Sequence, residues 1–310
     1  MADATPRVSF ALPVRNGGDK IRRCLDSLLA QDFEDFEIVI SDNASTDGTQ
    51  DVIREYAARD SRVRPFLNER DVGQIENFNR VVHIARGEYF RWIGADDWIE
   101  PEYASSCIAI LDHDPGAIAV TNFIRIYVDD KPTRSDEYFG ELLESERPER
   151  RFTRMLWTFH AGDSIYEPLY SMIRRSVLLS TSLVRMMVKA DRILASELSL
   201  LGRFHHHHAC LTHRWKPSGV TVHSEEYLKR YRPDRSAELQ STPWRQARVL
   251  MSVIRDAPLT TRQRLVCMKA VVMFFFKASR RDARRRFRRR RGELRRALAR
   301  ILGRFRAPVR

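Results

Sequence analysis

An α/β fold, with a mostly parallel central sheet flanked by helices, is predicted by three features of the sequence. Short apolar runs recur through the first 130 residues. Segments of helical periodicity, roughly 10 to 15 residues long, separate them. Each apolar run is closed by a polar turn. Strand, helix, strand in that rhythm is the βαβ unit, whose crossover is right-handed and whose ligands bind beyond the carboxyl ends of the strands.

The elements follow in order. Val8 to Val14 (VSFALPV) reads as a strand broken by Asn16-Gly17-Gly18, and Ile21, Cys24, Leu25, Leu28 and Leu29 mark a helix. Phe36 to Ile40 is a buried strand closed by Ser41-Asp42-Asn43, followed by a helix on Val52, Ile53, Tyr56 and Ala57. Val63 to Leu67, Ile75 to Ala85 and Glu88 to Gly94 continue as strand, helix and strand. Pro101 opens a helix at a favoured first-turn position, and Ala117 to Val128 is a further β-branched run. Residues 131 to 150 are charged and aperiodic, as expected of a surface loop. Helices are expected near Phe152 to Phe159, over Met186 to Leu201 with Gly202 as the stop, over Trp244 to Ile254, and from Arg262 to Arg306.

Composition narrows the class. The 310 residues are 43% hydrophobic with 13 Gly and 13 Pro, which excludes a disordered or collagen-like chain. Four scattered cysteines form no CxxC pair, which suits a reducing cytosol. Met1 to Pro6 has neither a charged nor an apolar leader region, so no secretory signal is expected there. The net charge of +13 is localised: residues 277–310 hold 16 Lys+Arg and 2 Asp+Glu, leaving the body close to neutral. The body therefore gives no reason to expect a nucleic-acid partner.

Chemistry is sought in the turns after the strands. Gly94-Ala95-Asp96-Asp97 places adjacent carboxylates at a strand end, where they repel each other unless a cation or donor intervenes. Oxygen ligands of this kind suit Mg²⁺ or Mn²⁺ when substrate phosphates complete the shell. Taken alone, either aspartate could equally cap the following helix. Ser41 to Thr49 (SDNASTDGT) offers a carboxylate that can accept from a base N–H or ribose hydroxyl, and also a capping turn. Pro13 to Gly17 supplies close backbone approach and one cation. Arg70, Arg86 and Arg91 are further phosphate candidates, and Trp98 beside the carboxylates is the aromatic best placed for a site. His205 to His208 cannot all face one ion when extended. A solvated tract is expected there, with His213 or His223 the alternatives for a metal role.

LPVRNG, SDNASTDGT, NERDVG, ARGEY and GADDW, in that order over about residues 7 to 125, resemble the successive motifs of glycosyltransferase family 2. The resemblance implies a GT-A, Rossmann-like fold and transfer of a sugar, with inversion, from a nucleoside-diphosphate-sugar to an acceptor hydroxyl. It implies a nucleotide-sugar pocket on Pro13, Val14, Arg15, Asn16, Asp42, Asn68 and Asp96. Asp97 is then the ligand of Mg²⁺ or Mn²⁺. Gly94 stands where the family often has an aspartate. Asp191 resembles the catalytic base at the start of a helix, with Glu197 second. Residues 1–220 are then the GT-A domain and 221–310 a helical region with a basic tail.

In that tail Leu294, Leu298, Ile301, Leu302 and Phe305 recur at helical spacing among arginines. A basic amphipathic helix suits an anionic membrane surface, about 1 kcal/mol per cation near the surface. The expectation is a cytoplasmic enzyme attached peripherally to the inner face of the membrane through residues 277–310, acting on a glycan or lipid-linked acceptor. A non-catalytic scaffold with this fold, and nucleic-acid binding through the tail, are the competing readings.

Overall fold

The computed structural model describes residues 5–136, 143–159, 168–187, 189–218, 242–277 and 279–280. The predicted alternation is present: β1 (Val8–Val14), α1 (Lys20–Leu29), β2 (Phe36–Asp42), α2 (Thr49–Arg59), β3 (Val63–Leu67), α3 (Gln74–Ile84), β4 (Tyr89–Trp92), β5 (Trp98–Ile99), α4 (Tyr103–His113) and β6 (Ala117–Val128). There follow β7 (Lys131–Asp136), α5 (Pro148–Phe159), a 3₁₀ turn (Pro168–Tyr170), β8 (Met172–Arg174), α6 (Arg175–Leu179), α7 (Ala190–Leu201), β9 (Arg203–Lys216), α8 (Pro243–Asp256) and α9 (residues 261–277).

The sheet runs β3-β2-β1-β4-β8-β6-β9-β5, with β7 paired to β6. β3, β2, β1 and β4 are parallel neighbours, as are β6 and β9. β8 is antiparallel to both β4 and β6, so it joins the two parallel blocks.

Val8, Phe10, Leu12 and Val14 of β1 share a core with α1, α2 and α4 on one face. Ala11 and Val39 point the other way, into a cluster with α3, α6 and α7. α7 has two sides: Leu194, Ala195 and Leu198 pack under the sheet, while Ala190, Ile193 and Leu200 meet α5, α8 and α9. The C-terminal helices thus rest on the main body through a shared apolar cluster.

Two expectations need correction. The stretch 131 to 150, expected as a loop, begins as β7 and ends in α5. Val128 pairs with Lys131 across Asp129 and Asp130, whose φ values of 49° and 63° are left-handed. That is the backbone of a two-residue hairpin turn. The His205–His208 tract is a strand and only partly solvated: β9 runs beside β6 from Arg203 to Lys216, with His208 exposed and His206 turned inward. His206 is buried, with Nδ1 2.7 Å from Thr121 Oγ1 and its ring 5.0 Å from Phe123. The tail beyond residue 280, His223 and the amphipathic stripe at Leu294 to Phe305 lie outside the described residues.

The ARGEY stretch serves the amino end of the sheet. A Cβ on Gly87 would lie 2.6 Å from Ser9 N, so only glycine lets this turn close against β1. Arg86 donates to the buried Glu37 carboxylate through its backbone N (2.6 Å) and its Nε (3.1 Å), and Arg64 pairs with the same group. Arg86 is therefore committed far from the strand ends that could meet phosphate.

His206 gives the fold a pH dependence. Burial, reinforced by the neighbouring histidines, lowers its pKa from 6.5 to about 4. The unfolded chain binds the proton first, so stability is complete above pH ~6.5 and falls as pH drops toward 4, by about 3 kcal/mol. Denaturant unfolding at neutral and acid pH should show a smaller acid loss for His206→Gln than for the unmodified chain.

Candidate active site

Parallel register brings the strand ends together. Val14 pairs with Asp42 and Asp42 with Leu67, so three strands terminate at one level. β4 ends beside them, with Ile93 N donating to Ala11 O at 2.9 Å. The turns at Arg15, Asn43, Asn68 and Gly94 therefore emerge at one edge, where the ladder no longer supplies partners.

A network of side-chain amides replaces the ladder there. Asn77, buried in the first turn of α3, donates to Ser41 O (2.9 Å) and accepts from Ser41 Oγ (2.7 Å) and Asn68 Nδ2 (3.1 Å). Asn43 donates from Nδ2 to Asp71 (2.6 Å) and accepts from Val72 N (2.9 Å). Asp71 pairs with Arg15 and accepts from Gly73 N (2.8 Å). Asn68 N donates to Asp42 O (2.9 Å).

The first two loops are laced together above that floor. Asn16, at φ 52°, donates from its backbone N to Ser45 Oγ (2.8 Å) and accepts from Thr46 N (2.9 Å) on its own side chain. Gly17 N donates to Thr49 Oγ1 (2.9 Å). A Cβ on Gly17 would stand 3.0 Å from Val14 and 3.3 Å from Ala95, so the first loop lies tight against the GADD turn.

Asp42 is fully buried. Its Oδ2 accepts from Ser45 N (3.0 Å) and Gln50 Nε2 (2.8 Å). Its Oδ1 has no protein donor among the described residues. A buried acceptor left without a donor costs about 1–3 kcal/mol, and here it sits at the carboxyl end of a parallel strand. Pro13 and Val14 are buried within β1, and Val14 packs into the core, so only their backbone can face a ligand. Arg15 is exposed but tied to Asp71, and Asn68 is buried in the network.

The two carboxylates after β4 are not equivalent. Asp97 is buried and accepts from Arg214 Nε (3.1 Å) on Oδ2 and from Trp215 N (3.2 Å) on Oδ1, both on β9. Burial pushes its pKa up to about 6, with Arg214 opposing the rise and Asp96 adding to it. Arg214 is itself seated 4.2 Å over the Tyr170 ring. Asp96 is half-buried, and no described residue donates to its carboxylate. A Cβ on Gly94 would lie 2.9 Å from Asp97 Oδ2 and 3.0 Å from Asp96 Oδ1, so both carboxylates fold back over a glycine.

Other candidates are placed elsewhere. Arg91 is fully buried, donating to Thr212 Oγ1 at 3.0 Å and lying 3.9 Å from the Tyr103 ring centroid, away from any phosphate. Trp98 packs against the Arg23 guanidinium (3.7 Å) and a stacked His213 ring (5.2 Å). His213 Nε2 is held 2.6 Å from Glu100. Arg70 is exposed in the loop after β3. Among the described residues no group of three His, Cys, Asp or Glu could hold a metal by itself.

Asp191 lies in the first turn of α7, after Lys189 at φ 66°. Burial pushes its carboxyl above the usual range, against the attraction of Arg192. Its approach segment is tied to α3, because Asn79 donates to Val184 O (2.9 Å) and accepts from Val184 N (3.0 Å). Glu197 is occupied differently, its two oxygens accepting from Ser182 N (3.2 Å) and Ser182 Oγ (2.7 Å). Gln50, Asp71, Asn77 and Arg214 were not anticipated from the sequence. The signal for Asp71 was its place within NERDVG, that for Asn77 its position four residues after it, and for Arg214 there was none.

Known proteins resemble this chain in sequence and in fold. The sequence model described as Glycosyl transferase family 2 matches residues 9–180. EpsH of Bacillus subtilis is 29% identical over 175 residues, covering 56% of this chain and 48% of that one. Chondroitin synthase of Escherichia coli is 35% identical over 103 residues, 33% of this chain and 15% of its own. The chain thus spans about half or less of the length of these relatives. Among solved structures, S. aureus TarS 1–349 in complex with UDP superposes with TM-score 0.62 at 17% identity, over 88% of this chain and 73% of that one. The mannosyltransferase PcManGT from Pyrobaculum calidifontis, in complex with GDP-Man and Mn²⁺, gives 0.52 at 17% identity, over 89% and 76%. The fold is that of the GT-A transferases, and since the family's model spans more than half of the residues, this chain belongs to glycosyltransferase family 2.

Proposed function

We propose that the chain transfers a sugar from a nucleoside-diphosphate-sugar to an acceptor hydroxyl, with inversion and with help from Mg²⁺ or Mn²⁺. The observation that carries this reading is Asp42, a buried carboxylate with one oxygen undonated at the carboxyl edge of a parallel sheet. In the reading Oδ1 accepts a ring N–H of the base while Gln50 and Ser45 hold Oδ2 still. Uracil, thymine and guanine carry such an N–H. Cytosine and adenine present a lone pair at the corresponding ring nitrogen and would be repelled. TarS with UDP-GlcNAc and PcManGT with GDP-Man, both of this fold, hold donors with bases of the first kind.

The donor set fits a hard divalent cation. Asp96 offers an open carboxylate oxygen, and such ions are commonly held by one or two carboxylates together with substrate phosphates. The geometry supports assigning the ion to Asp96 rather than Asp97, whose oxygens Arg214 and Trp215 already occupy. Asp97 then fixes the turn so that Asp96 faces the donor. When bound, the ion would neutralise the departing diphosphate. Asp191, whose carboxylate is made a stronger base by burial, accepts the proton of the acceptor hydroxyl as that oxygen bonds the anomeric carbon and the nucleoside diphosphate leaves from the opposite face of the sugar. The transferase machinery is assigned to residues 1–220. Attachment to the cytoplasmic face of a membrane is assigned to residues 277–310, with a glycan or lipid-linked acceptor.

Three outcomes test the reading. In thermal melts with Mn²⁺, UDP, dTDP or GDP should stabilise the chain by about 2.7 kcal/mol at a hundredfold excess over Kd, while CDP and ADP should not. Asp42→Asn should weaken the preferred diphosphate at least about tenfold without lowering the melting temperature of the free protein. A flat panel with the folded protein would favour a scaffold role.

Asp96→Asn should remove the Mn²⁺-dependent part of donor binding and leave stability unchanged. Asp97→Asn, which keeps an acceptor for Trp215 N and removes only the charge facing Arg214, should leave the Mn²⁺-dependent part of donor binding in place. The converse pattern would return the metal to Asp97.

Asp191→Asn should lower kcat by about 10² to 10⁴ while donor affinity stays the same. Wild-type turnover in this variant, once a donor and acceptor pair is in hand, would remove Asp191 from the reaction.

A further inference from the structure

α9 has two apolar sides. Toward the body, Cys267, Ala270, Val271 and Phe274 are buried in the cluster shared with α5, α7 and α8. On the opposite side Leu265, Val266, Val272, Met273 and Phe276 are exposed, Leu265 by 62% and Phe276 by 59%. These positions recur at i, i+1, i+7, i+8 and i+11, with the exposed Lys269 completing the stripe and Arg262 extending it by a turn.

The stripe is held in one orientation. Thr260 Oγ1 accepts from Gln263 N (3.3 Å) and Thr260 N donates to Gln263 Oε1 (2.9 Å), a capping box that starts the helix. Arg264 donates to Ile254 O (3.3 Å) and Ala257 O (3.2 Å), clamping α9 to the end of α8. Trp244, 71% exposed on α8, packs against Phe275 with ring centroids 4.3 Å apart and planes tilted by 46°. No described helix is long and apolar enough to cross a membrane.

We propose that this face of α9 inserts into the interface of an anionic lipid membrane, with Leu265, Met273 and Phe276 in the acyl boundary. Lys269 and Arg262 would keep their charges at the headgroups. The choice of occupant follows from charge. The 16 Lys+Arg of residues 277–310 follow directly on the helix and demand an anionic surface. A second copy of this chain would bring two such tails together. A nucleic acid offers no apolar surface for Met273 and Phe276. The proposal rests on membrane attachment through the tail and adds to it an apolar anchor that salt does not screen.

The test uses the full chain and Leu265→Ser/Met273→Ser/Phe276→Ser, a variant altered only at exposed positions, whose melting temperature should match the wild type. Both are sedimented with phosphatidylcholine vesicles containing roughly 30% phosphatidylglycerol, at low salt and at about 0.5 M salt, where charge is strongly screened. The wild type should stay bound at high salt, and the variant should partition about a hundredfold more weakly. Equal binding of the two proteins at both salts overturns the anchor and leaves tail attachment standing. Loss of all wild-type binding at high salt has the same meaning. No wild-type binding at either salt overturns both readings. A wild-type dimer in solution that the variant lacks, with equal vesicle binding, gives the stripe to a second copy and overturns the proposal.

Discussion

Three parallel strands ending at one level impose a problem that the rest of the active edge solves. β1, β2 and β3 pair in parallel register up to the row of Val14, Asp42 and Leu67. Past that row the ladder stops while the chain is still buried, so partners must come from side chains. Ser41, Asn43, Asn68 and Asn77 supply them, and every one of these is buried. Short amides are suited to the task because each can donate and accept at once. The outcome is a hydrogen-bonded floor in which one carboxylate, Asp42, keeps an undonated oxygen.

A second constraint comes from the far half of the sheet. Asp97 is fixed by Arg214 and Trp215, which lie more than a hundred residues away in sequence. β9 can reach the GADD turn because it runs parallel to β6 and then pairs with the two residues of β5. The turn is thus braced from both sides, by the first loop at Gly17 and by β9 at Arg214. α7 plays a comparable part below the sheet, since the same helix carries Asp191, covers the central strands and supports the C-terminal pair.

The parts legible in the sequence are those governed by short-range physics. Strands buried on both faces read as apolar runs, and the turns after them read as polar breaks, so β1, β2 and β4 stood out, and the half-exposed edge strand β3 was placed by its position between two helices. Asp42, Asp96 and Asp97 were visible as carboxylates at strand ends. β5 and β8 are two and three residues long and leave no periodic trace. β9 is rich in histidine and arginine, which hides a strand whose partners are set by β6. The different environments of Asp96 and Asp97 were equally hidden, because adjacent residues of the same type are told apart only by what approaches from elsewhere in the chain. Asn77, Asp71 and Gln50 are common surface residue types, and the partners they meet at the strand ends are what give them a role.

Gly94 carries a consequence for how this turn can vary. Both carboxylates have closed over its Cα, so the space that a side chain would need is already filled by its neighbours' oxygens. Substitutions at 94, 96 and 97 are therefore coupled sterically as well as electrostatically, and their effects will not add. A relative with a side chain at this position must hold its carboxylates in another arrangement. Exchanging single residues between such sequences would pass through combinations that suit neither, and the turn is better regarded as a unit inherited whole.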